Sequence, residues 1–219
     1  MRRERVALCA VSFFLWASCS AKQPDIGCPV QSLEWAAVYK PVELGGCTRK
    51  AGEALGIIRY SPETGEETLA IKPASLAALD PRDGAHPSYS LAALPKQADA
   101  SGFCVVPSLP LQQKEVPEDP VQQLPALRLS YQWSNVRILA IPKAPGTQLL
   151  ADLVYTENGC TARYEVWGLW PGGVSCDDGS GAPDDSICQM EGTLNPDFVV
   201  ACEPTLLVCV PGKRPPSLR

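Results

Sequence analysis

The groups in this 219-residue chain that could do chemistry are ten cysteines, one histidine and a cluster of carboxylates. The histidine, His86, lies in Asp83-Gly84-Ala85-His86-Pro87, a loop by every local signal. A Ser/His/Asp hydrolase would need it, since an activated nucleophile requires a base beside it. The nucleophile-elbow pattern G-x-S-x-G is missing, because Gly173-Val174-Ser175-Cys176-Asp177 ends in Asp. Hydrolysis through His86 is therefore an alternative reading and a non-catalytic role the main one. Asp177, Asp178, Asp184 and Asp185 carry hard oxygen ligands of the kind calcium takes, and Gly179 and Gly181 permit a tight loop. Their spacing is not that of an EF-hand. A solvated acidic loop is the plainer expectation, with calcium-dependent adhesion through residues 177–185 as a further alternative.

Cys9 falls in an apolar N-terminal run and Cys19 at its end. The other eight, Cys28, Cys47, Cys104, Cys160, Cys176, Cys188, Cys202 and Cys209, are an even number, which in an exported chain reads as four disulfides of undetermined pairing. No C-x-x-C pair occurs, and Cys202 and Cys209 are too far apart in sequence for a zinc knuckle. Neither a metal nor a cofactor is expected.

Export itself is read from the first 18 residues. Arg2, Arg3 and Arg5 form a positive region, Val6 to Ala17 an apolar run, and Ala17-Ser18 a small-residue processing site. The run is shorter than the roughly 18–20 residues needed to span a membrane. Its end, Leu15-Trp16-Ala17-Ser18-Cys19, resembles the lipobox of bacterial lipoproteins, in which the cysteine is acylated and becomes the mature N-terminus. Trp16 departs from the aliphatic residue usual there. The resemblance implies that Cys19 is the lipid-attachment site. Ser20 after it, rather than Asp, implies the outer membrane of a two-membrane envelope; the alternative is secretion after a cut near Ser20 or Ala21. The tether Ser20 to Gly27, SAKQPDIG, reaches less than about 30 Å when fully extended.

The residues that must position any site read as strands. Leu33–Tyr39 and Leu55–Tyr60 are apolar, and Leu55–Tyr60 with Thr68–Lys72 forms a hairpin turned by Pro62 and Gly65. Ala74–Leu79 can form one helical turn before Pro81. From Pro73 to Pro125 there are nine prolines, which argues for loops on the surface and against central strands. Leu127, Leu129, Tyr131 and Trp133 alternate with polar residues, the period of a half-buried strand. Val136–Ile141, Leu149–Thr156 and Thr161–Trp167 follow, with turns expected at Pro145-Gly146 and Asn158-Gly159. Four such strands make an antiparallel meander, and the chain is expected to be mainly β, a sandwich or open barrel. If Thr161–Trp170 is regular, Trp167 lies on the outer face among charges, a candidate contact residue. The pieces ELGGCT (residues 43–48) and ENGCT (157–161) echo one another, each after a Val-Tyr pair.

The expected organisation is thus a signal peptide (1–18), a lipidated Cys19 with its tether (19–27), a mainly β domain (28–171) containing the Pro-rich loop region 73–125, a disulfide-stapled module (176–210) and a basic tail (211–219). The module, with Cys176, Asp184-Asp185-Ser186-Ile187-Cys188, Cys202 and Cys209-Val210, resembles cysteine-rich tails of secreted or lipidated proteins of unknown function in predatory and soil-dwelling, myxobacterial-like proteobacteria. The net charge of −5 argues against a nucleic-acid partner. The partners expected are the membrane, through the lipid, and an envelope protein or glycan.

Overall fold

The computed structural model describes residues 27–219 except 191 and 193; Cys19, the signal segment and most of the tether lie outside the described residues. Among the described residues, eleven strands and two short helical turns form in chain order. They are β1 (Leu33–Glu43), β2 (Gly52–Tyr60), β3 (Thr68–Pro73), helix α1 (Ala74–Ala77), β4 (Ser90–Ala93), β5 (Phe103–Ser108), β6 (Gln112–Val116), β7 (Leu127–Ile141), β8 (Ala144–Glu157), β9 (Cys160–Leu169), β10 (Val200–Glu203) and β11 (Val208–Pro211), with a 3-10 turn at Ile187–Gln189. The first nine make one antiparallel sheet in the order β4-β3-β2-β1-β9-β8-β7-β5, with β6 also paired to β7. The sheet curls into a nearly closed barrel, so the mainly β, open-barrel expectation holds.

Alternation along each strand fills the barrel. Trp35, Ala37 and Tyr39 of β1, Leu55 and Ile57 of β2, Leu69 and Ile71 of β3, Leu129, Tyr131 and Trp133 of β7, Leu149, Ala151, Leu153 and Tyr155 of β8, and Tyr164 and Val166 of β9 form one buried cluster. At roughly 1.5–3 kcal/mol for each large apolar side chain, this cluster is the main stabilising term. The turns of β2–β3 and β7–β8 lie at the lower end of the barrel, and those of β1–β2 and β8–β9 at the upper end. Residues 27–32 cross the lower end: Cys28 is bonded to Cys104 of β5, and the amide of Gln31 donates to the carbonyl of Gly146 (3.0 Å). Gly146, at φ +68°, permits that crossing, since a Cβ there would lie 2.5 Å from the Pro29 carbonyl oxygen.

Three features differ from expectation. The region 73–125 contains β4, β5 and β6, not loops alone. All three occupy sheet margins, where a strand tolerates proline because one row of its amides has no ladder partner; Pro107 sits inside β5. Leu127–Trp133 and Val136–Ile141 are a single strand, β7, interrupted by a bulge between Ser134 and Arg137 with Asn135 at φ +50°. Asparagine tolerates that backbone region, so the break reads as a loop from sequence. The β7–β8 turn is at Pro142-Lys143, and Pro145-Gly146 lies within β8.

The C-terminal residues pack on the outside of the barrel. Phe198, Val200, Cys176, Cys188 and Cys209 cluster with Phe103, Leu139, Ala144 and Leu169, which point outward from β5, β7, β8 and β9. Val210 covers Ala36 and Val38 of β1.

Candidate functional site

The upper end of the barrel carries a buried polar cluster around Glu53. Glu53 shares the inward parity of Leu55 and Ile57, so strand alternation turns a carboxylate into the barrel. A buried carboxylate needs several partners to offset its lost hydration. The hydroxyls of Tyr39 (3.0 Å) and Tyr131 (2.6 Å) donate to Oε1, the backbone amide of Ser75 donates to Oε2 (2.7 Å), and Lys50 Nζ lies 3.3 Å away. Lys50 Nζ also donates to Ser75 Oγ (2.9 Å) and sits 5.5 Å from the centre of the Tyr155 ring. Tyr155 donates to Glu157 Oε2 (2.5 Å), and Tyr164 accepts from the amide of Lys50 (3.0 Å). The rings interlock, Tyr39 with Tyr164 at 5.6 Å and Tyr131 edge-on to Tyr155 at 5.1 Å. Burial first, and then the Glu53 charge, push the phenols of Tyr39 and Tyr131 well above the usual tyrosine range; burial and Glu157 do the same for Tyr155. These tyrosines are fixed as neutral donors. Above them opens a depression of about 570 Å³, lined by Thr48, Arg49, Lys50, Tyr155, Glu157 and the Cys47–Cys160 bridge.

On the other flank of the β8–β9 hairpin, a second depression of about 550 Å³ includes His86, Lys114, Arg128, Leu129, Ser130 and Asn158. Lys114 reaches inward from β6 and is 1% exposed. Its ammonium donates to the backbone carbonyls of Asp83 and His86 and pairs with Asp80 Oδ1 (2.9 Å), which ties the 80–86 loop to the sheet. Asp80 also accepts from Lys72 (3.1 Å) and Ser88 (3.0 Å). His86 Nδ1 lies 3.0 Å from Asp83 Oδ2, and the amide of Glu115 donates to the same oxygen (3.0 Å). That amide and then His86 hold the Asp83 carboxyl at about 2, well below the usual carboxylate range. The structure thus brings together the histidine and aspartate of a triad, two of its three members. Among the described residues no serine hydrogen-bonds to His86: Ser88 is committed to Asp80, and Ser130 only shares the wall of the depression.

The other residues singled out in the sequence are placed as follows. The eight cysteines pair Cys28–Cys104, Cys47–Cys160, Cys176–Cys202 and Cys188–Cys209. The second bridge joins the two echoing Gly-Cys turns at the upper end. Sulfurs of Cys176, Cys188 and Cys209 lie within 4.8 Å of one another, but all three are consumed in disulfides. The four acidic residues are brought to no common point. Asp177 Oδ1 accepts from the amides of Gly179 and Gly181, Asp178 Oδ1 from Ser180, Asp184 Oδ1 from Ser186, and Asp185 Oδ1 from Cys202. Asp177, Asp178 and Asp184 each shape a local turn, and Asp185 ties its loop to β10. Trp167 is outward but half covered: it packs against the cluster of Ala36, Val38 and Val210, its indole donates to Glu165 (2.7 Å), and Lys40 Nζ sits 4.8 Å above the ring. Sequence reasoning missed the Glu53–Lys50–tyrosine cluster; the alternation Glu53-Leu55-Ile57 was the signal that could have found it.

The family model described as MlpA matches residues 33–171, which span the barrel strands. A Myxococcus xanthus protein bearing the name "Putative lipoprotein MlpA" is 34% identical over 223 residues, covering 94% of this chain and 93% of its own. No solved structure matches the chain.

Proposed function

The chain belongs to the MlpA family, and from that premise we propose that it is a cell-envelope lipoprotein, anchored through acyl chains on Cys19 and acting without catalysis in binding or structure at the membrane surface. The observation that carries this is the extent of the match to the Myxococcus xanthus relative. At 94% of the chain it runs beyond residues 27–219 into the N-terminal segment that ends in the lipobox-like Leu15–Cys19. Four disulfides fit an oxidising, extracytoplasmic setting. Two or more acyl chains hold a protein stably, at about 0.8 kcal/mol per buried methylene, whereas one binds marginally. Ser20 favours the outer membrane, by resemblance to lipoproteins of two-membrane bacteria.

The upper end of the barrel is the part suited to a partner, an envelope protein or a glycan, because two depressions flank one rigid hairpin there. The hydrolytic alternative rests on the His86–Asp83 pair and lacks a positioned nucleophile. Fractionation of cells carrying wild-type or Cys19→Ala protein tests the main reading. The wild type is expected with membranes and the variant's mature form not; a variant that is processed and stays in the membrane fraction equally well overturns it.

A further inference from the structure

We propose that the outer face of β2, β3 and β4 rests against the bilayer to which the chain is tethered. The inference rests on the acyl anchor proposed above and adds the surface that meets the lipid. Strand alternation turns Ile58 and Tyr60 of β2, Ala70 of β3, and Leu91 and Ala93 of β4 outward, and Tyr89 just before β4 shares that parity. Ile58, Ala70 and Leu91 stand side by side in register, and Tyr60, Thr68 and Ala93 form the next row. Tyr60 is 50% exposed, Tyr89 47% and Leu91 41%. The outward Ala36 and Val38 lie under Val210, and the outward Leu139, Ala144 and Leu169 under Phe198 and Val200. The C-terminal residues leave the apolar face of β2–β4 open, and such patches mark contact surfaces.

The point where the chain leaves the barrel identifies the occupant. Gly27 lies against the backbone of Lys96, just beyond β4, and the carbonyl of Cys28 accepts from Arg59 Nη1 (3.0 Å), next to Tyr60. Two of the three strands that carry the patch, β2 and β4, therefore end at the tether. A tether shorter than about 30 Å brings this face, rather than the upper end, within reach of the membrane. Tyrosines beside aliphatic residues suit the bilayer interface, and Lys96 can extend to headgroup phosphates. Glu63 and Glu66 in the adjoining turn oppose an anionic surface, so the lipid favoured is zwitterionic. Both depressions then face away from the bilayer.

The test uses the full acylated chain, with a specific protease site placed in the tether, in vesicles of phosphatidylethanolamine and phosphatidylcholine. Hydroxyl-radical labelling of Tyr60, Tyr89 and Leu91 is expected to be several-fold slower on vesicles than after release by the protease. Val42 and Val121 at the upper end should label equally in both states. A Tyr60→Glu, Leu91→Glu double variant that keeps its acyl mass and four disulfides should label at Tyr89 as the released protein does. Equal labelling before and after release overturns the proposal. Protection that survives release and rises with protein concentration also overturns it, by assigning the face to a second copy. An acylated chain without protection defeats this inference alone, whereas a chain found unacylated at Cys19 defeats the anchor and this inference together.

Discussion

Glu53 holds the upper end of the barrel together, because four groups from four segments converge on one carboxylate. Glu53→Ala leaves the Lys50 charge and two buried phenols without their acceptor. A loss of about 3–5 kcal/mol is expected, the range for breaking one side of a buried pair, and chemical denaturation would measure it. Linkage gives a second check. Phenols raised in the folded state contribute stability that is present below the ordinary tyrosine value of about 10 and lost as pH climbs above it. Phenolate absorbance from Tyr39, Tyr131 and Tyr155 should therefore rise only together with loss of the fold in an alkaline titration. Asp83 works in the opposite sense: its lowered carboxyl contributes stability present above the ordinary value of 3.8 and lost as pH falls through about 2. Asp83→Asn should flatten that acid limb of the thermal-stability profile, and an unchanged limb would assign it to other carboxylates. None of these roles is visible residue by residue in sequence. Lys114, an ordinary-looking lysine in QQKEV, is buried because β6 lies at a sheet margin over the 80–86 loop, a long-range placement that local pattern does not encode.

At the level of elements, alternation made β7, β8 and β9 legible, since each buries one face and exposes the other to the sheet's outside. Asn158-Gly159 supplied the turn its chemistry demands, with both residues at positive φ. The marginal strands were hidden by their prolines, and the unity of β7 by its bulge. Cysteine pairing was equally hidden, because it depends on which strands meet. Cys202 and Cys209 face each other across β10–β11 yet bond elsewhere. The amide of Cys202 donates to Asp185 and that of Cys209 to the Val174 carbonyl, so the two form a non-hydrogen-bonded pair, in which Cα atoms approach to about 4.5 Å. That separation admits a disulfide. A Cys176→Ser, Cys188→Ser double variant is thus expected to form a Cys202–Cys209 bridge, read by non-reducing peptide mapping; two free thiols would contradict the geometry. Gly52 is a further element-scale test. A Cβ there would lie 2.0 Å from the Ala37 carbonyl oxygen, inside the β1–β2 ladder. Gly52→Ala should cost at least about 1–3 kcal/mol as an overpacked site.

The whole molecule has a direction. The N-terminal segment crosses the lower end of the barrel and leaves beside β2 and β4, while both depressions and the tyrosine cluster lie at the upper end. The C-terminal residues, stapled among themselves by two bridges, pack on the outside and cover parts of five of the strands. On this account Cys19 and the short SAKQPDIG tether give the fold its orientation, which makes Cys19 a positional constraint as well as an address. The central claim is that Cys19 is kept and acylated. Metabolic labelling with a clickable acyl analogue, on wild-type and Cys19→Ala protein, tests it most directly. The account predicts label on the wild-type chain at Cys19 and none on the variant; a wild-type chain that is exported, folded and free of label would contradict it.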